Sequence, residues 1–273
     1  MKLLSSLLIL ATPLQAQVLG AIESFTKEDN ANGWGFYNYA TGEAFNASWK
    51  LPGTTDAEIY ATFAQDAGVS LFADSISSGG FFVGDYASAG IDTVYCDIYV
   101  EDLPSFGDVE IYILAGDTFY YSDSYEVLTS GWSSLLNSFS KDQWYIYDED
   151  DEEFVPVKVT ASVLSDIVEI GVNFYPSSNS ADGKAIALDN FALLPDLSPP
   201  AIDISADGSN AAVSFTGIEG IEYIIESSST LLDLSWSQVG APIEIIGPSE
   251  TVIPLPAKSF FRILTQPFYI EVP

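Results

Sequence analysis

The densest run of side chains that could do chemistry is YDEDDEEF, residues 147 to 154, in which Glu149, Asp151 and Glu153 stand at alternate positions. On a β-strand, side chains two residues apart share a face, so this spacing would present three carboxylates together and would suit the paired-acid chemistry of glycoside hydrolysis. A working site of that kind needs apolar residues between the acids to anchor the strand in a core. Here the intervening residues are Asp150 and Glu152. A strand charged on both faces cannot be half buried, so the run reads as a solvated loop. DISADG, residues 203 to 208, opens like a calcium loop, but its twelfth position is Ser214 and not a bidentate glutamate, which favours a hairpin turn at Asp207 and Gly208. The chain has no histidine and a single cysteine, Cys96. Histidine-dependent triads, histidine-ligated metal centres and thiolate clusters are therefore excluded, leaving carboxylate chemistry or none.

Aromatic residues are the other resource: Trp34, Phe36, Tyr37, Tyr39 and Trp49 near the start, Phe119 to Tyr121 and Tyr125 in the middle, and Trp132, Trp144, Tyr145 and Tyr147 later. Exposed rings stack on sugar faces while neighbouring Asp and Asn side chains accept hydroxyl hydrogen bonds. The competing use is packing within a core and along strand edges. Trp34, Tyr37, Trp132 and Trp144 are the candidate ligand-binding residues.

The elements that would hold these residues are short and alternating. In DTVYCDIYV, Val94, Cys96, Ile98 and Val100 share one face and Thr93, Tyr95, Asp97 and Tyr99 the other, the pattern of a strand with one buried side, which makes Cys96 a core residue. VEIYIL (109 to 114), VPVKVTA (155 to 161) and IVEIGVNFY (167 to 175) follow the same logic, and ASVLSDI (161 to 167) offers the one helical turn. Three prolines in LLPDLSPPAID mark a linker at 197–200, expected to be exposed and open to proteolysis. The organisation expected is a signal segment at 1–16, a jelly-roll β-sandwich at 17–196, and a small Ig/fibronectin-like β-sandwich at 201–273, all-β throughout.

MKLLSSLLILATPLQA has one basic residue, a short apolar core, a proline and a terminal small residue, the layout of a cleavable secretory signal, so a secreted or periplasmic, envelope-exterior location is expected. No later stretch supplies ~20 consecutive apolar residues, so membrane insertion is not expected. With 39 acidic against 8 basic residues the net charge is −31, a field that repels nucleic acid and anionic lipid and attracts divalent cations.

IESF, NGW, FFVGDYASAGIDTVYCDIYV, VLSDIVEIGVNF and ALDNFALLP, in that order, resemble the laminin-B-like jelly-roll domains of secreted bacterial proteins, related in fold to galactose-binding-like carbohydrate-binding modules. The tail, with YIIESSSTLLDLSW and SFFRI, is similar to a small carboxyl-terminal β-module of exported bacterial proteins. The resemblance implies a structural calcium ion held between the first and last jelly-roll strands, here by Glu23 and Asp189. The alternative use of Asp189 and Asn190 is to cap backbone groups at a strand bend without metal. The functional expectation is an exported, non-enzymatic protein that binds a glycan or matrix polymer. Its rivals are a surface-layer component bridged by calcium and a carboxylate-dependent glycan hydrolase. Arg262, the only arginine, is expected to pair with Glu226.

Overall fold

The computed structural model describes residues 19–26, 31–50, 58–63, 67–101, 106–126, 130–176 and 183–196, together with the strand residues of the carboxyl-terminal part. The signal segment and the proline linker at 197–200 lie outside the described residues. The first part comprises β1 (Ala21–Glu23), β2 (Gly35–Asn38), β3 (Glu43–Asn46), β4 (Ser48–Trp49), β5 (Ile59–Thr62), β6 (Val69–Ala73), β7 (Thr93–Val100), β8 (Phe106–Ala115), β9 (Thr118–Ser122), β10 (Tyr125–Glu126), β11 (Gly131–Ser138), β12 (Trp144–Asp148), β13 (Glu153–Val157), β14 (Ile167–Pro176) and β15 (Ala185–Leu194). Two α-helical turns, α1 (Tyr86–Ala89) and α2 (Ala161–Leu164), and a 3-10 turn at Ser77–Gly80 interrupt them, α2 at the predicted place. The rest are β16 (Ile202–Asp207), β17 (Asn210–Thr216), β18 (Ile221–Ser228), β19 (Ser237–Gln238), β20 (Ile243–Glu244), β21 (Glu250–Pro256), β22 (Phe260–Pro267) and β23 (Ile270–Glu271).

The chain is all-β, a jelly-roll β-sandwich followed by the two small sheets of an Ig/fibronectin-like sandwich. One sheet of the jelly roll runs β11-β7-β15-β1-β23, with β5 also on β15 and β4 on β5. The other, the aromatic sheet, runs β13-β12-β9-β8-β14-β6-β2-β3, with β10 on β8. Strands β16, β17 and β21 form a three-stranded sheet, and β18 pairs with β19, β20 and β22 in a four-stranded one. The short β23 returns to pair in parallel with β1, through Ala21 with Ile270 and Ile22 with Glu271.

The expected alternation holds in β7: Val94, Cys96, Ile98 and Val100 are buried, while Tyr95, Asp97 and Tyr99 are half-buried on the opposite face. Burial also pushes the Cys96 thiol well above its ordinary pKa. Val109, Ile111 and Ile113 of β8 and Ile170, Val172 and Phe174 of β14 meet these residues in one core. β16 and β17 pair from Ile202 with Phe215 to Asp207 with Asn210, the expected hairpin, with Gly208 outside the described residues.

Candidate aromatic groove

Because core residues alternate with outward ones, the core pattern of β8 and β14 fixes what the opposite face carries. Glu110, Tyr112 and Leu114 point outward from β8, opposite Asn173, Gly171 and Glu169 of β14. Phe119 and Tyr121 of β9 stand beside Leu114 and Tyr112, and on the far side Phe72 of β6 stands opposite both Gly171 and Gly35. Tyr37 of β2 is paired with Ser70.

The two glycines clear the floor for these rings. A Cβ on Gly171 would lie 2.6 Å from the Leu71 carbonyl oxygen, 2.7 Å from Tyr112 Cε1 and 2.9 Å from Phe72 Cβ, and one on Gly35 would meet the Phe72 ring at 2.5 Å. Real side chains do not approach so closely, so Tyr112 and Phe72 lie where a β-carbon would otherwise stand. The result is a groove of about 410 Å³ lined by Tyr37, Tyr39, Ala44, Ser70, Phe72, Tyr112, Phe119, Tyr121 and Glu169. It crosses six neighbouring strands, or ~24 Å at ~4.8 Å per strand. A second hollow of about 260 Å³ continues across β9 to Tyr145 and Phe154, sharing Tyr121 with the first and reaching Glu110.

A polar network fixes the rings from beneath. Tyr39 Oη and Ser70 Oγ both donate to Asn173 Oδ1, the first at 3.2 Å, and Asn173 Nδ2 donates to Glu110 Oε1 at 2.9 Å. Tyr175 Oη donates to the same glutamate oxygen at 2.7 Å, and Tyr112 Oη donates to Glu169 Oε1 at 2.7 Å. Burial raises the carboxyl pKa of both Glu110 and Glu169, outweighing the donors that stabilise their charge. Burial, with the nearby Tyr39 and Glu110, pushes the Tyr121 hydroxyl up to about 12. Glu110 and Glu169 lie four residues apart along the strands by register, ~13 Å at ~3.3 Å per residue.

Of the candidate ligand-binding residues, Tyr37 lines this groove. Trp132 is 43% exposed on the opposite sheet, its ring 5.5 Å from that of Tyr99. Trp34 and Trp144 are corrections, for both are fully buried. Trp34 packs edge-on against Phe25, Phe82 and Phe191 while its indole donates to Ser78 Oγ, and Trp144 stacks on Phe139 and donates to the Ser138 carbonyl. A ring held so cannot meet a surface ligand. The acid run is a β-hairpin rather than a loop throughout: Tyr147 pairs with Phe154 and Asp148 with Glu153, residues 149 to 152 form the solvated turn, and Asp148 Oδ1 accepts from the Asp150 backbone at 2.9 Å.

The hydrogen bonds described for Glu23 and for Asp189 go to different partners. Glu23 is buried, and its carboxylate accepts from the Phe25 backbone and the Asn32 and Ser78 side chains. Phe25, Asn32 and Ser78 all have positive φ, so one carboxylate ties together three left-handed backbone positions. Asp189 Oδ1 accepts from the Asn190 backbone at 2.7 Å, Asn190 has φ 49°, and its Nδ2 donates to Asp97 Oδ2 at 2.8 Å. The ladder between β15 and β7 slips between Asp189 and Ala192. These contacts cap the bend of β15, while Glu23 accepts from one backbone N–H and two side-chain donors. Among the described residues no group of three or more acidic or thiol side chains could hold a metal ion.

Sequence reading missed Phe72, Glu110, Tyr112, Glu169 and Asn173 as site residues. The signal was present in VEIYIL and IVEIGVNFY, whose non-core positions hold four of these five. What was lacking was strand order, which sets β8, β14 and β6 side by side.

No family model and no curated protein matches the chain. Among solved structures it is similar to the L4b domain of human laminin alpha-2, at 12% identity and TM-score 0.43, covering 65% of this chain and 99% of that one. It is similar to a family 11 carbohydrate-binding module from Clostridium thermocellum in complex with a β-1,3-1,4-mixed-linked tetrasaccharide, at 16% identity and TM-score 0.38, covering 66% and 98%. An exo-β-agarase matches at 13% identity and TM-score 0.42 over 65% of this chain, which spans about a quarter of the agarase, 25%.

Proposed function

We propose that this chain is an exported, non-enzymatic protein of the laminin-B-like jelly-roll kind that binds a glycan in the aromatic groove. The observation that carries this reading is the groove itself: six aromatic side chains and a carboxylate laid across neighbouring strands over two glycines. Rings supply flat apolar faces for sugar rings, and Glu169 with the hydroxyls of the more exposed Tyr37, Tyr39 and Tyr121 supplies hydrogen bonds to sugar hydroxyls. The length of the groove and its continuation past Tyr121 suit an extended polymer better than a single terminal sugar. A catalytic pair of acids would need carboxyl groups ~5 to 9.5 Å apart on either side of the scissile bond. Glu110 and Glu169 are offset by ~13 Å along the backbone of their strands and held by different partners, which speaks against those two as such a pair.

The test is retention of the mature protein on a panel of immobilised polysaccharides, with reducing ends assayed in parallel. Retention on at least one polymer, competed by its soluble fragments and without release of reducing ends, is expected. Absence of retention across neutral, acidic and amino polymers would overturn the binding reading, and release of reducing ends would overturn the non-enzymatic one.

A further inference from the structure

We infer that the groove is specific for a glycan bearing free amino groups, of the glucosamine type, and that Glu169 is the residue that pairs with the ammonium. This rests on the glycan-binding reading and names the ligand class. Among the described residues the groove lining holds one carboxylate and no lysine or arginine. By register Phe119 stands level with Glu169 across β8, with Tyr112 and Phe72 two residues along on the neighbouring strands, and the faces of aromatic rings attract cations brought within ~6 Å. A carboxylate with aromatic rings on the neighbouring strands offers a cation both an opposite charge and ring faces.

A carboxylate removed from water is costly unless it is paired. Glu169 is half-buried and its Oε1 accepts from Tyr112, one donor against the ~4 lone-pair sites a carboxylate offers. A ligand ammonium at the groove wall would supply the missing charge. A sulfated or uronic-acid polymer would place like charge against Glu169 with no cation to receive it, and the chain's net charge of −31 adds a field that concentrates cations and repels anions. A neutral polymer would satisfy the rings but leave the carboxylate with hydroxyl partners alone.

The experiment is calorimetric titration of the mature chain with a glucosamine oligomer, its fully N-acetylated counterpart and a glucose oligomer of the same length. It is run where the amine is protonated and at ~0.5 M sodium chloride, which shortens the range of the general acidic field to a few ångströms. The glucosamine oligomer is expected to bind about tenfold more tightly than the other two. Glu169→Gln, which keeps an oxygen for Tyr112, should bring its affinity down to that of the acetylated oligomer, while Glu149→Gln in the exposed turn should leave the preference intact. Phe119→Leu, at an exposed position, should shrink the preference without risk to the core. Equal affinity for the amino and acetylated oligomers, or a preference that survives both Glu169→Gln and Phe119→Leu, overturns the inference and leaves the glycan reading standing. No binding of any of the three oligomers overturns the inference, and the polysaccharide panel alone then decides the glycan reading.

Discussion

Tyr112 lies directly opposite Gly171 in the ladder of β8 and β14, and its ring takes the space in which a side chain at 171 would stand. Glycine in mid-strand weakens a sheet, so its presence there marks a place where something must approach the backbone closely. The same is true of Gly35 beneath Phe72. The groove is thus written into two absent side chains as much as into the rings that fill their places.

Gly171→Ala is expected to cost about 1 to 3 kcal/mol, because the new methyl would meet a backbone carbonyl that cannot rotate away. Gly35→Ala should cost less, since the atom it meets is the far edge of a ring, but should weaken glycan binding by displacing Phe72. Denaturant melts of both variants check the order. A Gly171→Ala protein as stable as the parent would show that the floor does not need glycine.

Glu110 makes a pH prediction. Burial raises its pKa in the folded protein above the ordinary carboxylate value, so the folded state holds the proton more tightly than the unfolded chain. Its contribution is most favourable below the unfolded pKa, ~4.3, and declines as pH rises through the folded value. Glu110→Gln, which keeps an acceptor for Asn173 and Tyr175, should therefore be stabilised relative to the parent at neutral pH, with the gain vanishing towards pH ~4. Melting curves of the two proteins across that range decide it, and a variant less stable at neutral pH would contradict the assignment.

Much of this was legible in the sequence. The buried face of β7, the solvated turn at 149–152 and the helical turn at α2 follow from local period and charge, which a single chain segment contains. The groove does not, because Tyr37, Phe72, Tyr112 and Tyr121 come from four strands whose adjacency is a property of the whole sheet. Trp34 and Trp144 misled for a related reason: a large ring suits a core as well as a ligand face, and only their neighbours, Phe25, Phe82, Phe139 and Phe191, decide which.

At the bend of β15, Asn190 combines a left-handed backbone with a hydrogen bond to Asp97. Asn190→Ala should cost about 1 to 3 kcal/mol through both, whereas Asn190→Gly loses only the hydrogen bond and should cost less. If the bend is held by protein groups alone, calcium and magnesium should shift the melting temperature equally at ~0.5 M sodium chloride. A calcium-specific rise abolished by Asp189→Ala would show instead a metal shared with Glu23.

In the small sheets, the register of β18 and β22 sets Glu226 directly opposite Arg262, the pair expected from the sequence. Opposite charges across antiparallel strands contribute about 0.2 to 1 kcal/mol. A double-mutant cycle with Glu226→Gln and Arg262→Met should return a favourable coupling of that order. Strict additivity of the two substitutions would deny the pairing.

The central claim is that the aromatic sheet, and not the opposite one, is the ligand face. Its most direct test is the affinity of whichever polysaccharide retains the protein, measured for the parent, Tyr121→Ala and Trp132→Ala. Both rings are partly exposed, and they stand on different sheets. Tyr121→Ala is expected to weaken binding by about tenfold or more, as loss of a central aromatic contact does, with Trp132→Ala within about twofold of the parent. A loss confined to Trp132→Ala, with Tyr121→Ala binding as the parent does, would place the ligand on the other face and contradict the account.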